Sequence, residues 1–399
     1  MTHLIDSLDA ILAPMTVADF QTEYRGEAPL HIKGAADKFA GVMSWDALTD
    51  LVNQASIWSS ASLQLVQDNK KIDPSDFCAP AVGRDKTNVL VPDPERVRHW
   101  LGRGASLILN DIDQLTPGLK SAAAALETGL GGKVQGNLYC SWKAQPGFGS
   151  HFDTHEVFAI HVAGEKTWRL YQRHFQDPIA HPRFMTPDES FHEDHKGPLT
   201  QEVTLTPGDL LYIPRGWYHD ALARSAATIH VAFGLTCPIG VDLFNLLFER
   251  AVEDPLFRAN LPRPDGPDGG KDMAAHLARL GERLGEFTRE PAVADRLAAF
   301  MRGYRYPRGS IRLPDDAADR RYRRSAANIS LKRHDGIWHI TDGRQGAPVP
   351  PGMEKPIAWV LERDGFSERD LAAAFSDLEP EARAKLLTDL ENMAVIEDA

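Results

Sequence analysis

Three side chains in this 399-residue sequence have the types and spacing to ligate a metal ion. His151 and Asp153 flank Phe152. On a strand, residues i and i+2 point to one face, so this imidazole and this carboxylate can converge. The pair alone is a weak signal, because His-x-Asp arises by chance and a plain Asp–His hydrogen bond in a loop would look the same. A second segment, GDLLYIPRGWYH over 208–219, changes the weighting. An extended run leads into a tight turn marked by Pro214 and Gly216, and the turn delivers His219 at the next predicted strand. The alternative for His219 is a satisfied core histidine.

The Gly-x5-Pro-x-Gly-x2-His spacing of 208–219 resembles the second motif of the cupin superfamily, whose double-stranded β-helix barrel holds metal in its mouth. Ala223 stands where an asparagine often follows, a departure common among iron oxygenases. Two imidazoles and one carboxylate then occupy one face of an octahedron. Such a donor set with open positions suits non-haem Fe(II), which must admit a co-substrate and dioxygen.

Lys166, in GEKTWRLY, falls on a predicted barrel strand, where an unpaired ammonium is costly to bury. The far carboxylate of 2-oxoglutarate would supply an anion; otherwise Lys166 is a snorkelling surface residue. Asn137 and Tyr139 alternate on one predicted strand and share a face, from which an amide and a hydroxyl can reach the same co-substrate. Both also fit as ordinary strand residues. Thr228, on the strand after His219, offers a further hydroxyl contact, with a purely structural role equally open.

The stretch NLYCSWKAQPGFGSHFDTHEVFAIHVAGEKTWRLY is similar to the catalytic core of the JmjC-type ribosomal oxygenases. The shared pattern is an Asn-x-Tyr strand, His-x-Asp-x-x-[Glu/Asp]-x-Phe, Gly-x-Lys-x-Trp and a distal His. The resemblance implies Fe(II)- and 2-oxoglutarate-dependent hydroxylation by dioxygen of a protein side chain, the β-carbon of a His or Arg of a ribosomal protein. It implies His151, Asp153 and His219 as catalytic iron ligands, Lys166 as the co-substrate lysine, and Asn137 and Tyr139 as the Asn-x-Tyr pair. It covers about 100 residues closely. It also implies a homodimer formed through a helical region, which VDLFNLLFERAV and MAAHLARLGERLGEF would supply.

These residues need a scaffold of short strands. From 134 to 237 extended runs alternate with Gly and Pro turns, which predicts a sandwich or barrel. Upstream, SWDALTDLVNQA (44–55) reads as a helix capped by Ser44, with further helices at 92–104 and 116–132 and strands in ASLQLVQDNKKI and SLILNDID. The pattern turns helical from 240 to 306, interrupted by a connector at 261–272. The last block offers a hairpin with Asp335-Gly336 at its turn and helices at 353–364, 367–376 and 380–393, a combination resembling a small winged-helix module. The expected fold is α+β: a cupin/JmjC jelly-roll catalytic domain with an N-terminal elaboration over 1–238, a helical dimerisation segment over 239–308, and a winged-helix-like domain over 309–399.

Several segments stay open. His155, Glu156, Arg169 and Tyr171 lie near the metal strand and either touch substrate or are structural. The 174–198 insertion has few apolar residues and reads as a long loop. Its histidines (His174, His181, His192, His195) suggest a lid more than a second metal site, because no cysteine partners them. The run Arg320–Arg324 reads as a solvated linker before an RNA or phosphate site.

Composition narrows the classes. Hydrophobic residues are 43% and charged residues 25%, an ordinary globular balance. No apolar run approaches the ~20 residues of a membrane helix, and the N-terminal sequence lacks the pattern of a secretion signal. Three distant cysteines argue against a disulfide framework and point to a reducing cytoplasm. The net charge is −12, with nine acidic against three basic residues over 366–399 and ten basic against three acidic over 302–333. This balance suits a basic protein partner better than nucleic acid, so no direct nucleic-acid binding is expected. Rival readings are a JmjC-type lysine demethylase, a small-molecule hydroxylase, a metal-binding cupin isomerase, and a non-catalytic binding module.

Overall fold

The computed structural model describes residues 4–68, 70–82, 86–142, 149–185, 188–263, 271–308, 320–325, 329–334, 336–341 and 346–398. The chain divides into two compact units, 1–309 and 310–399.

In the first unit the strands are β1 (Leu30–Ile32), β2 (Leu63–Gln67), β3 (Lys70–Lys71), β4 (Cys78–Val82), β5 (Asn88–Pro92), β6 (Ser106–Leu109), β7 (Lys133–Trp142), β8 (Glu156–Ala163), β9 (Lys166–His174), β10 (Leu199–Leu205), β11 (Leu210–Ile213), β12 (Trp217–Ala223) and β13 (Ala227–Thr236). The larger sheet runs β1-β11-β8-β13-β7-β6-β2-β3 and the smaller runs β10-β9-β12, with antiparallel pairing throughout; β4 and β5 form a separate hairpin.

Period-two alternation decides which residues fill the space between the sheets. Val157 and Ala159 of β8 and Leu211 and Ile213 of β11 meet Trp168 and Leu170 of β9 and Val203 and Leu205 of β10 in one buried cluster. The outer face of the larger sheet is covered by the helix Pro117–Leu130, whose Leu119, Ala122, Ala123 and Leu126 share a core with Leu138 of β7 and Val231 and Phe233 of β13. That helix starts where the sequence indicates: Thr116 accepts from the backbone N–H of Leu119, with Pro117 at the first helical position. Ser44 likewise caps Trp45–Val52 by accepting from Ala47 N–H.

The insertion differs from the expected loop. It contains short helices at Pro182–Met185 and Glu189–His195, the second capped by Asp188 accepting from Phe191 N–H. The following helical stretch, Asp242–Glu253, Lys271–Phe287 and Pro291–Gly303, buries a small cluster of Leu247, Ala251, Phe287 and Val293. It leaves Phe244 66% and Phe248 65% exposed. Part of the predicted 261–272 connector lies outside the described residues.

The second unit has small antiparallel sheets of Arg321–Arg324, Gly365–Ser367 and Ile396–Asp398, and of Ser330–His334, Ile337–Thr341 and Gly346–Pro348. Helices Glu354–Leu361, Glu368–Ala374 and Pro380–Asn392 accompany them, around a core that includes Tyr322, Val360, Leu371 and Leu387. At the predicted hairpin turn Asp335 lies outside the described residues. The arginine run is not a solvated linker. Arg321–Arg324 is a strand, and Arg320 pairs with Glu391 (3.1 Å), Arg323 with Glu397 (2.8 Å) and Arg324 with Asp364 (3.5 Å). Among the described residues no helix is long and apolar enough to cross a membrane. Cys78, Cys140 and Cys237 are free thiols.

Candidate metal centre

His219 owes its position to the turn before it. Gly208 and Gly216 have φ of +92° and +84°, a region that L side chains rarely adopt. A β-carbon on Gly208 would lie 1.9 Å from the carbonyl oxygen of Ala35, and one on Gly216 would lie 2.0 Å from that of Phe175. Between the two glycines β11 runs through the core, and beyond the second β12 carries His219.

His151 and Asp153 do not sit on a regular strand. Only His151 pairs, in an isolated antiparallel bridge with His219, where each residue donates its N–H to the other's carbonyl (3.0 and 2.8 Å). Such a pair presents both side chains on one face. Asp153 follows in irregular backbone, held by Gly216 N–H donating to its carbonyl (2.8 Å). The ligand atoms of His151, Asp153 and His219 all fall within 4.8 Å of one another, the one such cluster among the described residues. Nε2 of His219 stands 3.5 Å from Oδ2 of Asp153, a span compatible with two donors that each lie about 2.1 Å from a shared ion.

The tautomers suit ligation. Nδ1–H of His151 donates to the carbonyl of Gly149 and Nδ1–H of His219 to that of Trp217, both at 2.9 Å. A carbonyl only accepts, so each Nδ1 carries the proton and each Nε2 lone pair is left for a metal. Burial holds His219 down to about 4, so its imidazole is neutral. Burial alone would raise the carboxyl of Asp153, but His155, His151 and His219 around it more than offset this and hold it below the ordinary range. A neutral imidazole and an ionised carboxylate are the metal-binding forms.

The three residues open into a cavity of about 230 Å3 between the sheets. Lys166 lines it from β9, 7% exposed, with burial lowering its ammonium to about 8. Among the described residues no acceptor lies within hydrogen-bonding reach of its Nζ, which stands 5.9 Å from the ring centroid of Tyr139 and 5.7 Å from that of Trp168. A desolvated cation facing a cavity fits an anionic ligand there. Asn137 and Tyr139 line the same cavity from β7; the amide of Asn137 hydrogen-bonds the Tyr139 hydroxyl, which burial keeps protonated.

Thr228 is brought near but not in. It is buried on β13 opposite Ser141, its Oγ1 without a partner among the described residues, and it does not line the cavity. His230, Ala232 and Gly234, on the same face of β13, do. His230 stacks on Tyr139 (4.8 Å, 9°), and burial keeps its imidazole neutral. Sequence reasoning passed over His230, Ser106 and Ser141, and met Trp168 only as the last member of the Gly-x-Lys-x-Trp pattern. The signal was available in the two-residue phase of strands already recognised: His230 lies two after Thr228, Trp168 two after Lys166, and Ser141 two after Tyr139.

A more open cavity of about 550 Å3 meets the first at His155. Its lining includes Glu27, Asp177, Asp242, Tyr304, and Trp217 stacked on His174 (5.3 Å). Arg169 and Tyr171 face away from both cavities and bind Asp220 instead.

Residues 120–243 match the JmjC domain family. The chain is 25% identical over 268 residues to the protein YxbC of Bacillus subtilis, covering 63% of this chain and 77% of that protein. It is 24% identical over 317 residues to the bifunctional lysine-specific demethylase and histidyl-hydroxylase NO66 of Dictyostelium discoideum, covering 73% and 58%. It is 36% identical over 183 residues to ribosomal oxygenase 2 of Bos taurus, covering 43% and 38%. The chain thus spans less than two thirds of the length of each of these last two relatives. Among solved structures, the Escherichia coli ribosomal oxygenase YcfD in complex with cobalt and 2-oxoglutarate aligns over 96% of this chain and 98% of its own, with 16% identity and a TM-score of 0.49.

Proposed function

We propose, from the premise that the chain belongs to the JmjC family of the ribosomal oxygenases, that it is an Fe(II)- and 2-oxoglutarate-dependent dioxygenase that hydroxylates a protein side chain. The observation that carries this reading is the unpaired ammonium of Lys166 in the same cavity as the His151, Asp153 and His219 cluster. Iron and 2-oxoglutarate, when bound, supply the oxidising power that places one atom of dioxygen on a substrate C–H bond and releases succinate and carbon dioxide. The protein's part is orientation and shielding. His151, Asp153 and His219 hold the metal, with Nδ1 of each histidine tied to backbone. Lys166 holds the far carboxylate of 2-oxoglutarate; Asn137 and Tyr139 offer neutral donors beside it, with Thr228 behind them.

A polypeptide substrate lies in the larger cavity and sends one side chain past His155. Glu27 and Asp242 favour a basic segment there, while Asp177 is already paired with Arg215 of the same lining at 2.8 Å. We take the target to be a His or Arg β-carbon of a ribosomal protein. The chain works as a cytoplasmic homodimer, paired through the apolar stripe of Phe244, Phe248 and Val252 on helix Asp242–Glu253. The 310–399 unit serves as a winged-helix-like scaffold.

The test is incubation with Fe(II), 2-oxoglutarate and isolated ribosomal proteins, reading succinate and intact masses. One added oxygen on a ribosomal protein is expected, and His151→Ala or Asp153→Ala should abolish succinate. Loss of a methyl group would favour a demethylase. Succinate without any protein product would favour a small-molecule hydroxylase. Metal binding without succinate would favour an isomerase or a binding module. Normal turnover in either variant would remove the assignment.

A further inference from the structure

The face of the metal-bearing bridge turned away from the cavity is as organised as the face turned toward it. Because His151 pairs with His219 in antiparallel register, Ser150 falls opposite Asp220 and Phe152 opposite Tyr218, with all four side chains on the far face. Phe152 and Tyr218 meet edge to face at 5.3 Å. Ser150 and Asp220 are joined by a hydrogen bond, Ser150 Oγ donating to Oδ2 of Asp220 at 2.8 Å.

Asp220 is the hub of a larger buried set. Its Oδ2 also accepts from the Tyr171 hydroxyl (2.6 Å), and its Oδ1 accepts from Nε of Arg169 (2.7 Å). Lys196, from the end of the histidine-bearing insertion, donates to Ser150 Oγ (3.0 Å) and lies 4.6 Å from the Tyr171 ring centroid. Asp220, Ser150 and Tyr171 are 4%, 7% and 6% exposed. The insertion also packs its His192 against Phe152 (5.4 Å). It therefore buttresses the ligand pair from behind, and its histidines contribute no metal cluster among the described residues.

The bridge is a single residue pair, held by its two backbone hydrogen bonds without a longer ladder on either side. We propose that Asp220 is a positioning residue: clasped by Ser150 and Tyr171 and flanked by Arg169 and Lys196, its carboxylate fixes the two segments that carry His151 and His219 and thereby sets the affinity of the centre for a divalent metal. The proposal rests on the metal reading above. Charge and shape both require a carboxylate at this position. Both oxygens receive donors, whereas an amide would turn its own NH2 toward either Arg169 or the two hydroxyls.

The test uses the full chain and Co(II) alone as the probe, followed by its visible absorption bands without 2-oxoglutarate. Wild type should saturate and His219→Ala should not. Asp220→Asn should weaken Co(II) binding by ~10–100-fold and alter the band envelope, the scale seen when a group that orients a metal ligand is lost. Tyr218→Phe serves as the control, since the Tyr218 hydroxyl has no partner among the described residues; it should bind as wild type does. If Asp220→Asn does not fold, Ser150→Ala decides, with a weakening of at least ~3-fold expected from loss of one of the donors. Unchanged Co(II) affinity and bands in folded Asp220→Asn, or in Ser150→Ala where that variant decides, overturn the proposal. Failure of wild type itself to bind Co(II) would instead overturn the metal reading on which it rests.

Discussion

Lys166 reaches the cavity with burial holding its ammonium down to about 8 and no anion beside it. Folding around such a charge costs on the order of 3 kcal/mol, taking about 1.4 kcal/mol per unit of displacement from 10.5. Lys166→Met should therefore melt higher than wild type in the metal-free state at pH 7, while the 2-oxoglutarate concentration needed for turnover rises. The sign with pH follows from proton counting. Between about 8 and 10.5 the unfolded chain holds a proton on Lys166 that the folded chain has lost, so wild-type stability gains as pH rises through that window and the advantage of Lys166→Met shrinks. Paired melting curves at pH 7 and pH 10 check this; an advantage that grows with pH would contradict it. Residues of this kind were legible in the sequence because their chemistry is unusual for their place: a lysine on a barrel strand, a histidine just past a Gly-x2 turn. Thr228 shows where legibility stops. Its strand phase was readable, but whether a given residue of β13 faces the cavity or lies beyond its end depends on pairing with β7 and β8, from segments distant in sequence.

At the scale of elements, the turn before β12 converts one glycine, Gly216, into the placement of a ligand. Gly216→Ala would force a β-carbon toward the Phe175 carbonyl at a positive φ. We expect a loss of about 1–3 kcal/mol in stability from the strained backbone together with weaker metal binding, whereas an alanine at Gly303, where a β-carbon meets nothing within 4 Å, should not weaken metal binding. Denaturant titration and Co(II) titration of the two variants separate the effects. Helices with a cap and a full apolar stripe, such as Trp45–Val52 and Pro117–Leu130, could be read directly. Glu189–His195 could not. It is seven residues long, and its inward contacts come from Phe191 and His192, too few to show a helical period. The convergence of His151 with Asp153 was anticipated from strand geometry, yet a single bridge followed by irregular backbone achieves it.

Over the whole chain, the uneven charge was countable in advance but its use was not. In the second unit Arg320 of the basic run pairs with Glu391 and Asp398, and Arg323 with Glu397, so part of the local excess of each sign is spent internally. Long-range pairing of this sort has no sequence period to betray it. The stripe of Phe244, Phe248 and Val252 is the opposite case: apolar residues at helical spacing that a single chain does not cover. Phe244→Glu with Phe248→Glu should shift the protein from dimer to monomer in light scattering without unfolding it. A wild-type monomer at micromolar concentration would dispose of the dimer proposal.

The sulfur chemistry of the fold bears on self-damage. A catalyst that brings dioxygen to iron risks releasing oxidants whenever its target is missing, and thiolates are their first victims. Burial is the main cause raising the thiols of Cys78, Cys140 and Cys237, that of Cys140 to about 12 within the wall of the barrel. All three are thereby kept in the sluggish protonated form at neutral pH, so the molecule offers such oxidants little thiolate to attack.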